Sequence, residues 1–293
     1  MFSIIVPSYN RNAQVNALLA SLENQTVKNF EVIVVDDCSK NVIKIDRTFA
    51  FPVKLIRNAQ NGGPAKSRNI GAENAQHDWL LFLDDDDRFD DRKCEILAER
   101  ITENPTANFV YHPAKCEMVN EGFSYVTKPF QPDSLSLENM LLANKIGGMP
   151  MMAIKKDFFF RLGGLSTDLK SLEDYDFVLK LVSDSDLNAL YVDEPLSLCA
   201  FHTKRSSVST NTENTEKAIE AIRRRYVKTP QQAHNFKLNS LYMLAYPNAM
   251  NLSRKAAGYY FDMFKLSRSL KHLVIAVVTF ISPKLAINLK RFV

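Results

Sequence analysis

Trp79-Leu80-Leu81-Phe82-Leu83-Asp84-Asp85-Asp86-Asp87 is the stretch on which the fold turns. Five bulky apolar residues in a row read as a strand buried on both faces. Carboxylates at its C-terminal end stand where open α/β sheets bind their ligands. Four adjacent like charges repel one another, and are stable when solvated or when a divalent cation neutralises some of them. The plainer alternative is a solvated acidic turn opening a helix near Arg92, because aspartate favours helix N-termini.

Working outward, Phe2-Ser3-Ile4-Ile5-Val6-Pro7-Ser8-Tyr9-Asn10-Arg11 is a second apolar strand running into polar turn residues. Between Ala13 and Asn24, Val15, Leu18, Leu19 and Leu22 recur at helical spacing. Phe30 to Val35 is a third strand, ending in Asp36-Asp37-Cys38-Ser39, and Val53 to Arg57 is a short fourth. Asn61-Gly62-Gly63-Pro64 opens a helix that runs to about Asn74, with Pro64 suited to its first turn. Strands alternating with helices predict a doubly wound, mostly parallel, Rossmann-like α/β sheet. Three polar strand ends, Ser8 to Arg11, Asp36 to Ser39 and Asp84 to Asp87, then line one edge together with Arg68.

Such a crevice suits a nucleoside diphosphate. No G-x-G-x-x-G follows the first strand, and Gly62-Gly63-Pro64-Ala65-Lys66-Ser67 lacks the glycine spacing of a P-loop. Without a glycine cradle, a metal held by carboxylates is the natural partner for the phosphates.

Five blocks, in this order, resemble a family 2 glycosyltransferase of the GT-A fold over residues 1–210. They are Ser3 to Asn10, Glu31 to Ser39, Asn61 to Asn69, Phe82 to Asp87, and Gly163-Gly164-Leu165 followed by Glu173-Asp174-Tyr175-Asp176. The resemblance implies that Pro7 and Ser8 contact the nucleobase, Asp37 hydrogen-bonds a uracil ring, and Arg68 lies near the base and diphosphate. It implies a D-x-D signature in which Asp84 faces ribose and metal, Asp85 is the variable donor-site position, and Asp86 ligates Mn²⁺ or Mg²⁺.

Leu172, Tyr175, Leu179 and Val182 make the segment after Ser171 an amphipathic helix. Glu173, Asp174 and Asp176 fall in its first turn, where negative charge is favoured in any helix. The resemblance gives two of them chemistry: Asp174 as general base and Glu173 as a neighbour that holds the acceptor or orients the base. It also implies direct, inverting displacement, with oxocarbenium-like charge on the sugar and negative charge on the leaving diphosphate. Phe201-His202-Thr203-Lys204-Arg205-Ser206-Ser207-Val208-Ser209 resembles the family's histidine-bearing loop, without its commoner His-Pro-Gly form. The resemblance makes His202 a candidate metal ligand or diphosphate contact and Lys204 and Arg205 candidate phosphate contacts, the alternative being a surface loop with an incidental histidine. Elsewhere, Cys116 to Pro150 is expected to shape the acceptor pocket, with Met149, Met151 and Met152 among its lining or in the core.

The four cysteines, Cys38, Cys94, Cys116 and Cys199, are dispersed and read as buried thiols in a reducing compartment. The chain enters a strand directly, without the basic and apolar regions of a secretory signal. A net charge of +4 hides an asymmetry: from Arg254 onward, eight Lys or Arg face the single acid Asp262, a balance of +7 that leaves −3 before it. The apolar run Leu273 to Ile281 is too short to span a bilayer. Residues 211–293 are therefore expected to form a basic helical appendage lying on an anionic membrane surface, the alternative being a helical subdomain packed on the catalytic domain. No nucleic-acid reading module is recognisable, so nucleic acid is not an expected partner.

These readings converge on an enzyme transferring sugar from a UDP-sugar to a glycan or lipid-linked saccharide acceptor in cell-surface polysaccharide synthesis, at the cytoplasmic face of the inner membrane. A sugar nucleotidyltransferase would need a glycine-rich basic loop near the first strand, which Ser8-Tyr9-Asn10-Arg11 is not. A non-catalytic nucleotide-sugar or membrane-binding module leaves Asp84, Asp86 and Asp174 without a task.

Overall fold

A computed structural model describes residues 1–204 and 211–292. The first half runs β1 (Phe2–Ser8), α1 (Asn12–Leu22), β2 (Phe30–Asp36), β3 (Val53–Arg57), α2 (Gly63–Glu73) and β4 (Trp79–Phe82). All seven residues of β2 and all four of β4 are buried, which is why Val32 to Val35 and Trp79 to Phe82 read as apolar runs; the buried Glu31 accepts from Ser3 Oγ at 2.7 Å. Each Val or Ile so buried contributes about 1.5–3 kcal/mol. β1 lies parallel between β2 and β4, with Ile4 opposite Val32 on one side and Leu81 on the other. Helix α1 buries Val15, Leu18, Leu19 and Leu22, the four residues its periodicity marks. Helix α2 approaches β1 so closely that a Cβ on Gly71 would collide with the Ile5 side chain.

The chain continues through β5 (Arg88–Phe89), α3 (Lys93–Glu103), β6 (Phe109–Tyr111), β7 (Ala114–Met118), β8 (Phe123–Val126), α4 (Leu137–Leu142), β9 (Met152–Lys155), α5 (Lys156–Arg161), α6 (Glu173–Ser183), β10 (Ala189–Tyr191) and β11 (Ser197–Phe201). The main sheet has the order β10-β6-β9-β4-β1-β2-β3. It is parallel except at β9, which runs antiparallel to both β4 and β6. A second sheet, β5-β11-β7-β8, is built from the segments immediately after the aspartates and from the middle of the chain.

The methionines offered as acceptor-pocket lining belong to the interior. Met149 and Met152 join the main core, and Met151 packs with Ala114, Cys116 and Cys199. None of the four cysteines is in a disulfide; Cys94, Cys116 and Cys199 are buried as expected, whereas Cys38 is partly exposed, because it sits in a left-handed turn at φ 63° just past the end of β2.

The C-terminal region comprises α7 (Thr212–Tyr226), α8 (Pro230–Met250), α9 (Lys255–Ser267), α10 (Leu270–Ile281) and α11 (Pro283–Asn288). Thr229 and Gln232 form a reciprocal capping box at the start of α8. Ala218 and Ile222 of α7 and Phe236 of α8 join the same core as Ile5 and Phe82, so these two helices are continuous with the sheet's packing. Helices α9 and α10 close a separate small cluster around Leu241, Ala245, Tyr260 and Ala276.

Candidate active site

The strand ends of β1, β2 and β4 meet at one edge. The aspartates after β4 alternate: Asp84 and Asp86 are partly exposed, whereas Asp85 and Asp87 are 4% and 8% exposed. The two ends of the D-x-D pattern are thus the two with open faces. Asp85 points inward and accepts from Ser8 Oγ at 2.6 Å and Arg11 Nη1 at 2.6 Å. Burial raises its pKa despite these two bonds. Asp86 accepts from the same Arg11 nitrogen at 3.0 Å. Asp87 accepts from the Ala200 amide at 3.0 Å, tying the aspartates to β11. Burial, then the negative charge of Asp84, pushes Asp87 up to about 8.

Asp37 caps α2. Its two oxygens accept from the Gly62 amide at 2.9 Å and the Gly63 amide at 2.8 Å, and Asn58 Nδ2 donates to it at 2.8 Å. A carboxylate in this position also opposes the positive end of the helix dipole. Asp37 is 4% exposed, with three of its roughly four acceptor directions used. Asp36 is fully buried, takes the Ser39 amide at 2.9 Å and lies 3.5 Å from Arg57 Nη1. Pro7 is partly exposed beside Ser8, which is 5% exposed.

Arg68 joins the two chemical centres. Its Nη2 lies 2.6 Å from Asp84 and its Nη1 lies 2.9 Å from Glu173, 105 residues away in sequence. Burial alone would make this guanidinium a weaker base, but the two carboxylates outweigh that and raise it further. Its Nε is buried and has no hydrogen-bond partner among the described residues.

Helix α6 is entered through Leu172, a left-handed residue at φ 60°. That conformation costs a non-glycine residue about 1–2 kcal/mol, and it sets Glu173 and Asp174 at the first turn. Asp174 is partly exposed and accepts the Tyr175 amide at 2.8 Å. Burial and then the adjacent Glu173 charge push Asp174 up to about 6. Gly148 lies beside it: a Cβ there would stand in van der Waals contact with Asp174 Oδ2, at 3.4 Å. Asp176, two residues on, is fully buried and committed to Arg225 at 2.8 Å, Ser166 Oγ at 2.6 Å and Tyr226 Oη at 3.2 Å.

The structure therefore brings Ser8, Arg68, Asp84, Asp85 and Asp86 to one edge and links Glu173, with Asp174 beside it, to that edge through Arg68. It does not gather His202 with Asp84 and Asp86: among the described residues no three His, Cys, Asp or Glu side chains stand at metal-binding spacing. His202 is partly exposed just past β11, Lys204 donates its amide to Met250 O at 2.9 Å, and Arg205 lies outside the described residues. Two hard carboxylates, each beside an arginine, fit Mg²⁺ or Mn²⁺ that completes its coordination with water and substrate phosphate. Sequence reasoning gave no role to Arg11, which grips Asp85 and Asp86 from 74 and 75 residues away. Arg225, the last of the basic run Arg223-Arg224-Arg225, is paired with Asp176 and Asp168.

Residues 3–160 match the family profile described as Glycosyl transferase family 2. The chain belongs to this family. As a family 2 glycosyltransferase it is 62% identical over 291 residues to a Haemophilus influenzae protein described as an uncharacterized glycosyltransferase, covering 99% of each chain. It is 27% identical over 215 residues, 72% of this chain and 80% of the relative, to the Escherichia coli UDP-Glc:alpha-D-GlcNAc-diphosphoundecaprenol beta-1,3-glucosyltransferase WfgD. Among solved structures, S. aureus TarS residues 1–349 in complex with UDP-GlcNAc superposes with a TM-score of 0.58 at 22% identity, covering 96% of this chain and 80% of that one. The Pyrobaculum calidifontis mannosyltransferase PcManGT in complex with GDP-Man and Mn²⁺ gives 0.55 at 17% identity, covering 99% and 86%. These likenesses establish the GT-A fold, with its mostly parallel sheet and a helical C-terminal region.

Proposed function

We propose that this glycosyltransferase inverts the anomeric carbon of a UDP-sugar and builds a cell-surface polysaccharide on a lipid-linked acceptor. The observation that carries the reading is Arg68, whose single guanidinium holds Asp84 on the donor side and Glu173 on the base helix. Residues 1–210 would bind the donor and perform the transfer, and residues 211–293 would meet the acceptor's lipid environment at the cytoplasmic face of the inner membrane. The UDP-glucose and diphosphoundecaprenol in the WfgD name, and the UDP-GlcNAc complex of TarS, support this choice of donor and acceptor.

In this mechanism Pro7, Ser8 and Asp37 form the nucleoside end of the site, and Asp84 and Asp86 would hold Mn²⁺ or Mg²⁺. The cation, when bound, supplies positive charge opposite the diphosphate. Asp174 takes the proton of the acceptor hydroxyl. The hydroxyl oxygen forms its bond to the anomeric carbon as the bond to the phosphate oxygen breaks, and the nucleoside diphosphate leaves with that electron pair. Arg68 faces the growing negative charge. A base held near 6 is ionised at neutral pH yet more basic than an ordinary aspartate, the compromise general-base catalysis needs. Asp174→Asn tests the assignment. It should bind donor like wild type and lose at least ~100-fold in transfer rate; transfer at the wild-type rate would refute it.

A further inference from the structure

Helix α10 buries only Ala276 and Thr279 of its twelve residues. Ala276 faces the small cluster with Leu241, Ala245 and Tyr260, which fixes the inward side of the helix. The outward side is apolar and bare: Leu270 is 71% exposed, Val274 60%, Val277 50% and Ile281 64%. Steps of four, three and four residues place these side chains on one face. Phe280 at 68% and Leu285 at 48%, the latter in α11, extend the patch. A contiguous exposed apolar surface marks an interaction site.

The chemistry around the patch selects the partner. Arg268, Lys271 and Lys284 are exposed beside it, and the chain from Arg254 onward carries a balance of +7. A second copy of this chain seated face to face would bring like charges together, so self-association is disfavoured. The fitting surface is apolar beneath and negatively charged above, which describes the interfacial zone of an anionic bilayer. Twelve helical residues reach about 18 Å, against a hydrocarbon thickness of roughly 30 Å. Among the described residues no helix is long and apolar enough to cross a membrane.

We propose that the Leu270-Val274-Val277-Ile281 face of α10, with Phe280 and Leu285, lies in the plane of an anionic membrane and inserts shallowly, with Arg268, Lys271 and Lys284 against the lipid headgroups. This docking also sets the orientation of the enzyme. Helix α10 packs on α9 and α9 on α8, and α8 grips the base helix through Asn239 Nδ2, 3.1 Å from Tyr175 Oη. Asp174 is thereby held at a defined attitude to the bilayer. This second consequence rests on the proposed transfer to a lipid-linked acceptor; the docking itself does not.

The test is co-sedimentation of the full chain with vesicles of phosphatidylcholine alone and with vesicles partly of phosphatidylglycerol. Neither lipid is a substrate, so the result is independent of the donor and acceptor assignments. Wild type should bind the anionic vesicles, bind the neutral ones far less, and release on raising salt. Val274→Ser with Phe280→Ser removes two exposed apolar side chains, and should weaken partitioning at least ~10-fold with unchanged circular dichroism and melting temperature. If the double variant binds anionic vesicles as wild type does, or wild type does not bind them, the proposal fails. A concentration-dependent dimer in light scattering, abolished by the same variant and with no vesicle binding, would assign the face to a second copy instead.

Discussion

Replacing Arg225 by Met removes the cation that ties α7 to the buried Asp176 of the base helix. Asp176 is fully buried and takes Arg225 Nη1 at 2.8 Å, keeping Ser166 Oγ at 2.6 Å and Tyr226 Oη at 3.2 Å when the arginine is gone. Lys180 remains too, but at 3.7 Å. Loss of a charged hydrogen bond to a buried acid costs about 1.5–3 kcal/mol. The Arg225 side chain is 33% exposed, so solvent screens part of that, and the expected loss is about 2 kcal/mol. For a chain of this length that corresponds to a melting temperature lower by about 4 °C. Urea unfolding of Arg225→Met, Asp176→Asn and the double variant closes a cycle, in which the two singles should overlap by about 1–2 kcal/mol. Because Glu173 and Asp174 ride on the same helical turn, Arg225→Met should also lower kcat for transfer several-fold, with the donor KM unchanged. Singles that add to within ~0.3 kcal/mol would instead show that Asp176 is satisfied without the arginine.

Three further outcomes concern Asp174 and its surroundings. With this carboxyl held near 6 by burial and Glu173, kcat/KM for transfer should rise tenfold per pH unit below about 6 and level off above it; a pH-rate profile flat from 4.5 to 8 would exclude Asp174 as the base. The fold favours the protonated acid, so this group's contribution to stability is fully present below the unfolded value of about 3.9 and is lost as pH rises through about 6. Gly148→Val should place a branched side chain against Asp174 Oδ2, reducing transfer by roughly 100-fold while leaving donor hydrolysis without acceptor unchanged; equal loss of both would contradict an acceptor-side position for Gly148.

The sequence made β1, β2 and β4 legible because strands buried on both faces carry consecutive apolar residues, here Ile4 to Val6, Val32 to Val35 and Trp79 to Phe82, while the buried polar Ser3 and Glu31 are hydrogen-bonded to each other. It was silent about the second sheet. β5 has two residues, and Ser197-Leu198-Cys199-Ala200-Phe201 of β11 shows no alternation that separates it from a loop. In the site, Asp84 and Asp86 could be singled out because a local pattern holds them. Arg11 and Arg225 reach their acids across 74 and 49 residues, and a pair that distant leaves no spacing to read. The short apolar run at Leu273 to Ile281 was visible, but only the packing of Ala276 and Thr279 tells which side of that helix is left bare.

A carboxylate-held metal site for a UDP-sugar is tested by calorimetric titration of UDP-sugars into wild type and Asp86→Ala, with and without Mn²⁺. The account predicts Mn²⁺-dependent binding of one UDP-sugar by wild type, weakened at least ~10-fold in Asp86→Ala, with the fold unchanged by circular dichroism. Wild-type binding that is indifferent to Mn²⁺ and to Asp86 would contradict it.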